Sequence, residues 1–147
     1  MKIRRTVLST PRHSVSVAGA VIDSKGRFLA IQRHDNLHWE PPGGVLELGE
    51  TIENGLVREI REETGFIVTP DRLSGVYKNL TKGIIALVFR CSITGGSPAT
   101  SSESLALRWF TVEEVANHMA EPFAVRLLDA SDEGPVRIRH HDGTTLC

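Results

Sequence analysis

The chain has 147 residues, of which 40% are hydrophobic and 24% are charged, and its formal net charge is −1. This length and composition predict one globular domain spanning residues 1–147. The near-neutral charge argues against nucleic acid or a membrane as a partner, and no stretch approaches the 18 apolar residues of a membrane span. Two cysteines are too few for a disulfide framework, and residues 1–10 lack the apolar segment of a signal peptide, so we expect a cytoplasmic protein.

The first predicted elements are two strands. Residues 14–22, rich in valine and alanine, predict a strand, residues 23–26 a turn, and residues 27–32 the paired strand of a hairpin. A loop at residues 39–50 follows and contains two prolines and then Gly43 and Gly44. A turn of this composition lets the backbone approach a neighbour or a ligand closely.

A helix is predicted after this loop. Thr51 is an acceptable N-cap and Gly65 a suitable C-cap. Ile52, Leu56 and Ile60 recur every four residues, which predicts an apolar stripe that faces the core.

Three glutamates continue this inward-facing side near the end of the helix. Glu59, Glu62 and Glu63 have the spacing i, i+3 and i+4, which places them on one face within a turn of each other. They repel each other and also lie where the helix dipole disfavours negative charge. A bound divalent cation would resolve both problems. The alternative from this pattern alone is a solvated acidic helix end.

The rest of the chain alternates between predicted strands and short helices. We predict strands at residues 66–68, 74–80, 83–93 and 105–110, and helices at residues 111–118 and 123–130. The polar C-terminal segment, which contains His140 and His141, is expected to fray. Together these elements predict an α+β fold with a mixed β-sheet between helix layers.

The loop and the helix also match a known motif. The motif spans residues 44–66. Gly44 is followed after five residues by Glu50, and Glu50 after seven residues by the run REIREETGF, from Arg58 to Phe66. This pattern fixes nine positions over 23 residues. This segment resembles the Nudix box without a departure, and the chain is thereby similar to the Nudix hydrolase family. The resemblance implies an αβα sandwich and magnesium-dependent cleavage of a pyrophosphate bond in a nucleoside diphosphate linked to another group.

The resemblance also implies roles for individual residues. Glu59, Glu62 and Glu63 are the implied metal-binding acids, and the backbone carbonyl of Gly43 is a further ligand. The implied ion is Mg²⁺, with Mn²⁺ as a substitute. Arg58 matches the arginine of the box that orients acids through a salt bridge, and it therefore belongs to the predicted catalytic residues.

Two residues are candidates for substrate binding. Glu50 matches the box glutamate that precedes the helix, and we expect it to form a salt bridge with Arg58. Arg33 lies between a strand and the box loop, where it could contact a phosphate; the alternative is an exposed loop residue without such a role.

The general base stays open among three acids. Glu103 is the candidate outside the box, and it lies just before a predicted strand. Relatives often carry a second acid near the following tryptophan, but here Ala106 occupies that place. This departure leaves Glu62 or Glu63 as the default base.

Three functions are compared. The first is hydrolysis of a nucleoside diphosphate derivative, the second is removal of pyrophosphate from modified (d)NTPs, and the third is a non-catalytic module that binds nucleotides. The complete set of box acids favours an enzyme with a small nucleotide substrate. The additional residues that mark hydrolases of ADP-ribose, dinucleoside polyphosphates, NADH and coenzyme A are absent. Dimers are frequent in the family, which leaves a homodimer open.

Overall fold

The computed structural model describes residues 10–147, and in this part of the chain eight strands and three helices are formed. In chain order they are β1 Ser14–Val21, β2 Phe28–Arg33, β3 Trp39–Glu40, β4 Gly43–Val45, α1 Ile52–Thr64, β5 Phe66–Asn79, β6 Ile84–Gly96, β7 Ser104–Phe110, α2 Val112–His118, α3 Glu121–Ala130 and β8 Arg137–His141. None of the three helices is long and apolar enough to cross a membrane. The prediction that no signal peptide is present concerns residues 1–9 above all, which lie outside the described part.

The strands form two sheets. The larger sheet is mixed and has the order β4-β1-β6-β5-β8, with the pairs β1–β6 and β5–β8 parallel and the others antiparallel. The smaller sheet is antiparallel and has the order β3-β2-β7. The predicted α+β fold with a mixed sheet is confirmed.

Helices cover both faces of the larger sheet because β1 is apolar on both sides. Side chains alternate between the faces of a strand. Val17 and Val21 therefore pack in one cluster with Leu56 of α1, while Ala18 and Ala20 pack in the other cluster with residues of α2 and α3. The acidic end of α1 is thus held against the sheet by burial on its apolar side.

Helix α1 begins and ends at the predicted residues. The Thr51 hydroxyl accepts a hydrogen bond from the Asn54 N–H at 3.1 Å, and Gly65 adopts the left-handed conformation with φ of 76°. Leu56 and Ile60 are fully buried, as predicted. Ile52 is 38% exposed, contrary to the predicted stripe, because the first turn of the helix lies outside the packed layers.

The predicted hairpin between the first two strands is wrong. The turn at residues 23–26 is present, but beyond it only the single bridge between Ile22 and Phe28 joins the two segments. Both edges of β1 are occupied, by β4 and β6, so β2 pairs instead with β3 and β7 in the other sheet. Hydrophobic pattern alone does not specify which strands pair.

Two further expectations are corrected. The strands predicted at residues 66–68 and 74–80 are parts of one strand, β5, which accommodates Pro70 at a shift in its pairing with β6. The C-terminal segment does not fray: residues 137–141 form β8, parallel to β5, and His141 is buried. The cause is an unpaired edge of β5, whose backbone groups β8 satisfies.

Candidate active site

The two loop glycines lie directly against the acidic end of α1. Gly43 pairs with Ala18 of β1, and its N–H donates a hydrogen bond of 2.6 Å to Glu63 Oε1. A Cβ atom on Gly43 would overlap the backbone of β1, and one on Gly44 would overlap the carboxylate of Glu59. The close approach anticipated for this loop is therefore present, and the neighbours are β1 and the box acids.

The three predicted metal-binding acids differ in exposure. The side chain of Glu62 is 59% exposed, that of Glu59 is 14% exposed, and Glu63 as a residue is 6% exposed. A carboxylate that is buried without a cation loses hydration without a compensating charge. The helix therefore presents one accessible acid beside two that are partly or fully shielded.

Arg58 connects four of the acids around the helix. Its Nη2 and Nε atoms donate to the two oxygens of Glu50 at 2.8 and 3.0 Å, which confirms the predicted salt bridge. Its Nη1 atom lies 3.0 Å from Glu59 and 3.3 Å from Glu62, and Glu47 lies more distantly at 3.9 Å. A planar guanidinium with five donors suits such a bridging role.

The carboxylate of Glu50 is fully engaged within the protein. Beside Arg58, it accepts a hydrogen bond of 2.8 Å from the backbone N–H of Glu47. These bonds lower the pKa of Glu50 to about 2, the Arg58 bond contributing most. Three of its acceptor sites are thus used within the protein, so the geometry favours a positioning role over the predicted substrate contact.

Burial and mutual repulsion raise the pKa values of the two shielded acids. The pKa of Glu63 rises to about 8, chiefly through burial, with additional repulsion from Glu59, Glu103 and Glu40, while the Gly43 N–H opposes the rise. The pKa of Glu59 is also raised, again chiefly by burial. In the protein alone, the ionised forms of these two acids are therefore disfavoured.

The pKa of Glu63 predicts how the stability of the metal-free protein depends on pH. Because its folded pKa of about 8 exceeds the ordinary value of 4.5, the folded state retains a proton that the unfolded chain releases. This contribution to the free energy of unfolding is complete below about pH 4.5 and is lost as pH rises through about 8. We expect the Tm measured in EDTA to fall across this range, and Glu63→Gln to remove that part of the fall. An unchanged pH profile in the variant would contradict the assignment.

Glu103 is brought to the same acids by the start of β7. Its backbone carbonyl accepts from His34 at 3.0 Å, and its charge is close enough to raise the pKa values of Glu59 and Glu63. The neighbouring Ser104 is buried and donates a hydrogen bond of 2.8 Å to the backbone carbonyl of Glu63. Ser104 was not predicted as a site residue, since a serine at the start of a strand carries no signal of its own.

The donor set at this end of α1 suits a divalent cation. Carboxylate and carbonyl oxygens are the ligands that hard cations take. A cation would also favour the ionised form of Glu63, whose pKa is raised by burial. In the arrangement described for residues 10–147, no three acidic, histidine or cysteine side chains stand together around one point. Arg58 lies between Glu59 and Glu62, so the acids must rotate to share an ion.

Arg33 lies at the end of β2 and faces the same region. Its Nε and Nη2 atoms donate to Asp35 at 2.9 and 2.8 Å, and its Nη1 atom lies 3.9 Å from Glu40. These acids, and at longer range Glu63, raise its pKa. A phosphate would therefore be contacted through Nη1, or through Nε and Nη2 once their bonds to Asp35 are broken.

A cleft of about 660 Å³ extends from the glycine loop over the face of the larger sheet that α3 covers. It is lined at one end by Gly43 and Gly44 and at the other by α3 and the C-terminal loop 142–144. Its volume is in the range of small-molecule sites. Three of its lining residues, Asn79, Arg126 and His141, were not predicted as site residues. They come together only when distant strands pair and α3 packs on the sheet.

Fold and site together define a hydrolase in which an acidic helix faces a glycine loop at the end of a nucleotide-sized cleft. The NUDIX domain model matches residues 12–130. The chain belongs to the Nudix family and is a Nudix hydrolase, a pyrophosphohydrolase that acts on acid anhydrides. Members of the family use divalent metals and act on small nucleotide substrates.

Individual relatives agree with this assignment. The chain is 59% identical over 138 residues to a MutT-like protein of Streptomyces ambofaciens, covering 94% of this chain and 90% of that protein. It is 30% identical over 110 residues to an ADP-ribose pyrophosphatase of Methanocaldococcus jannaschii, covering 70% and 65% of the two chains. Its fold is similar to that of a NUDIX hydrolase from Nitrosomonas europaea, with a TM-score of 0.75, 21% identity and coverage of 90% and 81%.

Proposed function

We propose that this enzyme hydrolyses the pyrophosphate bond of a nucleoside diphosphate linked to another group, with Mg²⁺ as the metal. The observation that carries the proposal is that the glycine loop, which lines the cleft, also contacts the acidic end of α1. A pyrophosphate placed there would have the box acids on one side and the cleft for its nucleoside on the other. We also propose that residues 1–147 form one Nudix domain, since β8 completes the larger sheet.

Glu59, Glu62, Glu63 and the backbone carbonyl of Gly43 would hold the cation, for which Mn²⁺ is a substitute. When bound, the metal neutralises charge on the phosphate oxygens and lowers the pKa of a bound water. The Gly43 N–H fixes one oxygen of Glu63, and the sheet holds the helix in place. Catalysis in this scheme comes from positioning and electrostatics.

The general base is assigned to an acid that water can reach. Glu62 and Glu103 are both exposed at the site, whereas Glu63 is buried with Oε1 bound to Gly43. A carboxylate accepts a proton only within hydrogen-bonding reach of the water. The variant Glu103→Gln distinguishes Glu103 from Glu62 as the base. If Glu103 is the base, the variant loses the acidic limb of the pH–rate profile.

Arg58 and Glu50 act as positioning residues. The two-bond contact of Arg58 with Glu50 anchors the guanidinium, which in turn orients Glu59 and Glu62. Arg33 is proposed to contact a phosphate of the substrate through its Nη1 atom, which is the least strongly engaged part of its guanidinium. A homodimer and a cytoplasmic location stay predictions.

The test is a hydrolysis screen with Mg²⁺ and with Mn²⁺, over ADP-ribose, dinucleoside polyphosphates, nucleotide sugars and normal or oxidised (d)NTPs. We expect a derivative of the first three classes to be cleaved into two phosphorylated products. Release of inorganic pyrophosphate from a (d)NTP as the dominant reaction would favour the second function considered above. Absence of turnover of every compound would contradict both.

A further inference from the structure

Three residues with donor groups for which residues 10–147 provide no acceptor meet at the end of the cleft remote from the glycine loop. Asn79 of β5 and His141 of β8 are paired in parallel register, and Ile84 of β6 is paired with Asn79 on its other side. These residues therefore form one row across three strands, and all three line the cleft. Arg126 of α3 faces them from above the sheet. We call Asn79, Arg126 and His141 the donor pocket.

His141 is 2% exposed, and its two ring nitrogens differ. Nδ1 accepts a hydrogen bond of 3.0 Å from the Gly143 N–H, which requires that Nδ1 is unprotonated and that Nε2 carries the hydrogen. Nε2 is buried and has no hydrogen-bond partner within residues 10–147. An unsatisfied buried donor is costly and uncommon, so it calls for a partner that the described protein does not provide.

Asn79 is oriented in a similar way. Its Oδ1 accepts hydrogen bonds of 3.0 Å from the backbone N–H groups of Thr81 and Lys82. This fixes the amide so that its Nδ2 group points away from the turn, and Gly143 lies beside that group. Among the described residues no acceptor for Nδ2 is found.

Arg126 is the third donor. Its Nε atom donates to the carbonyl of Pro122 at 3.1 Å, and its guanidinium lies 4.9 Å from the ring centre of Phe123 and 5.5 Å from that of Tyr77. Within the described residues no carboxylate lies within 4 Å of it, although Glu40 acts on it at longer range. Stacking on Phe123 and the Nε bond hold the guanidinium, while both Nη groups are free to donate to a ligand.

The acids near this end of the cleft have other partners. The Oδ1 atom of Asp142 accepts hydrogen bonds of 2.8 Å from the N–H groups of Thr144 and Thr145. Glu40 lies nearer to Arg33, at 3.9 Å from its Nη1 atom. The donor pocket therefore presents hydrogen-bond donors and few acceptors. A ligand group that complements it presents acceptors only.

We propose that the donor pocket binds the nucleobase of the substrate by a carbonyl edge, and that it selects keto bases over amino bases. The inference rests on the proposed function, because the nucleobase is placed relative to a pyrophosphate at the glycine loop. Four interstrand steps separate β4 from β8, roughly 19 Å along the sheet, which leaves room for the ribose and phosphates. His141 lies outside residues 12–130, the part of the chain that the family model matches.

The selection follows from the chemistry of the base edges. Guanine presents acceptors at O6 and N7, and uracil presents one at O4, where adenine and cytosine carry amino donors at N6 and N4. An amino group would meet only donors in this pocket and would leave them unpaired. One well-placed pair of bonds to a base edge discriminates by about tenfold or more.

The test is equilibrium binding of mononucleotides to the full chain by calorimetry, in EDTA, so that no turnover intervenes. GMP is compared with AMP and UMP with CMP, since UMP and CMP differ only in the group at position 4 and in whether N3 carries a hydrogen. We expect the keto member of each pair to bind at least about tenfold more tightly. Equal affinities within the pairs, or no binding of any mononucleotide, would overturn the inference.

Variants assign the preference to the pocket. His141→Phe removes the Nε2 donor and is expected to reduce the preference severalfold, while His141→Gln, which can still donate, retains more of it. His140→Phe is the matched control, since this neighbouring histidine is exposed on the other face of β8 and does not line the cleft. If His141→Phe does not fold, the variant Arg126→Met is measured instead. An unchanged preference for keto bases in that variant would refute the assignment to the donor pocket.

Failure of this inference is distinguishable from failure of the proposed function. Hydrolysis of nucleotides without a base preference would refute the inference alone. A keto preference in binding, without hydrolysis of any nucleoside diphosphate derivative, would refute the proposed function and leave the donor pocket intact.

Discussion

Glu62→Gln should lower kcat/KM at saturating Mg²⁺ by about a hundredfold or more and leave the fold intact. The substitution keeps the volume of the side chain but removes a charge at the place where the metal is proposed to bind, and metal ions supply a large part of such catalysis. Folding should be little affected because the Glu62 side chain is 59% exposed and its contact with Arg58, at 3.3 Å, is long.

The measurement is steady-state hydrolysis of the substrate identified in the screen, together with Tm at zero and millimolar Mg²⁺. Wild type should gain stability from Mg²⁺ by mass action, and the variant should gain less. Glu53→Gln is the matched control, since Glu53 is exposed in the first turn of the same helix. If Glu62→Gln turns over like the control, Glu62 neither holds the metal nor serves as the base.

Gly43→Ala should destabilise the protein by about 3 kcal/mol, because the added methyl group has no space. Its Cβ would overlap the carbonyl oxygen of Val17 and the Cα of Ala18, which are backbone atoms of a central strand and cannot move without breaking the sheet. For a domain of this size, that loss corresponds to a fall in Tm of roughly 10 °C.

Gly95→Ala is the control for this substitution. Gly95 also lies in a strand, but the nearest atoms to its Cβ would belong to Ile67 at 3.5 Å, which is an ordinary contact. We expect thermal denaturation to separate the two variants clearly. Similar Tm values for both would mean that β4 can shift away from β1, and the glycine would then be dispensable for the fold.

Elements whose pattern is local were predicted well. Helix α1 begins after Thr51 and ends before Gly65 because the cap residues and the apolar stripe lie within the segment itself. Helix α2 begins after Thr111 for the same reason, with a capping box closed by Glu114. The bond between Arg58 and Glu50 was also predicted, in this case from the resemblance of the segment to the Nudix box.

Strand partners were not predictable from such patterns. The segments that form β1 and β2 have the composition of a hairpin, yet they lie in different sheets because β4 and β6 occupy both edges of β1. The C-terminal segment has too few apolar residues to predict a strand, and it becomes β8 because β5 offers it an edge. Tyr77 of β5 is likewise buried and bonded to Asp129 of α3 at 2.8 Å, a contact between distant segments.

The sequence by itself determined the family, the acidic helix and the residues proposed for the metal. The reason is that the Nudix box is a continuous segment of 23 residues, which is recognised by residue type and spacing alone. Only the tertiary structure decided the surroundings of these acids and the far end of the cleft. The proximity of Glu103 to the acids, the bond of Ser104 to Glu63 and the pairing of Asn79 with His141 all join segments tens of residues apart. Such pairing is fixed by which sheet edges are free and which faces must be buried, and these are properties of the whole fold.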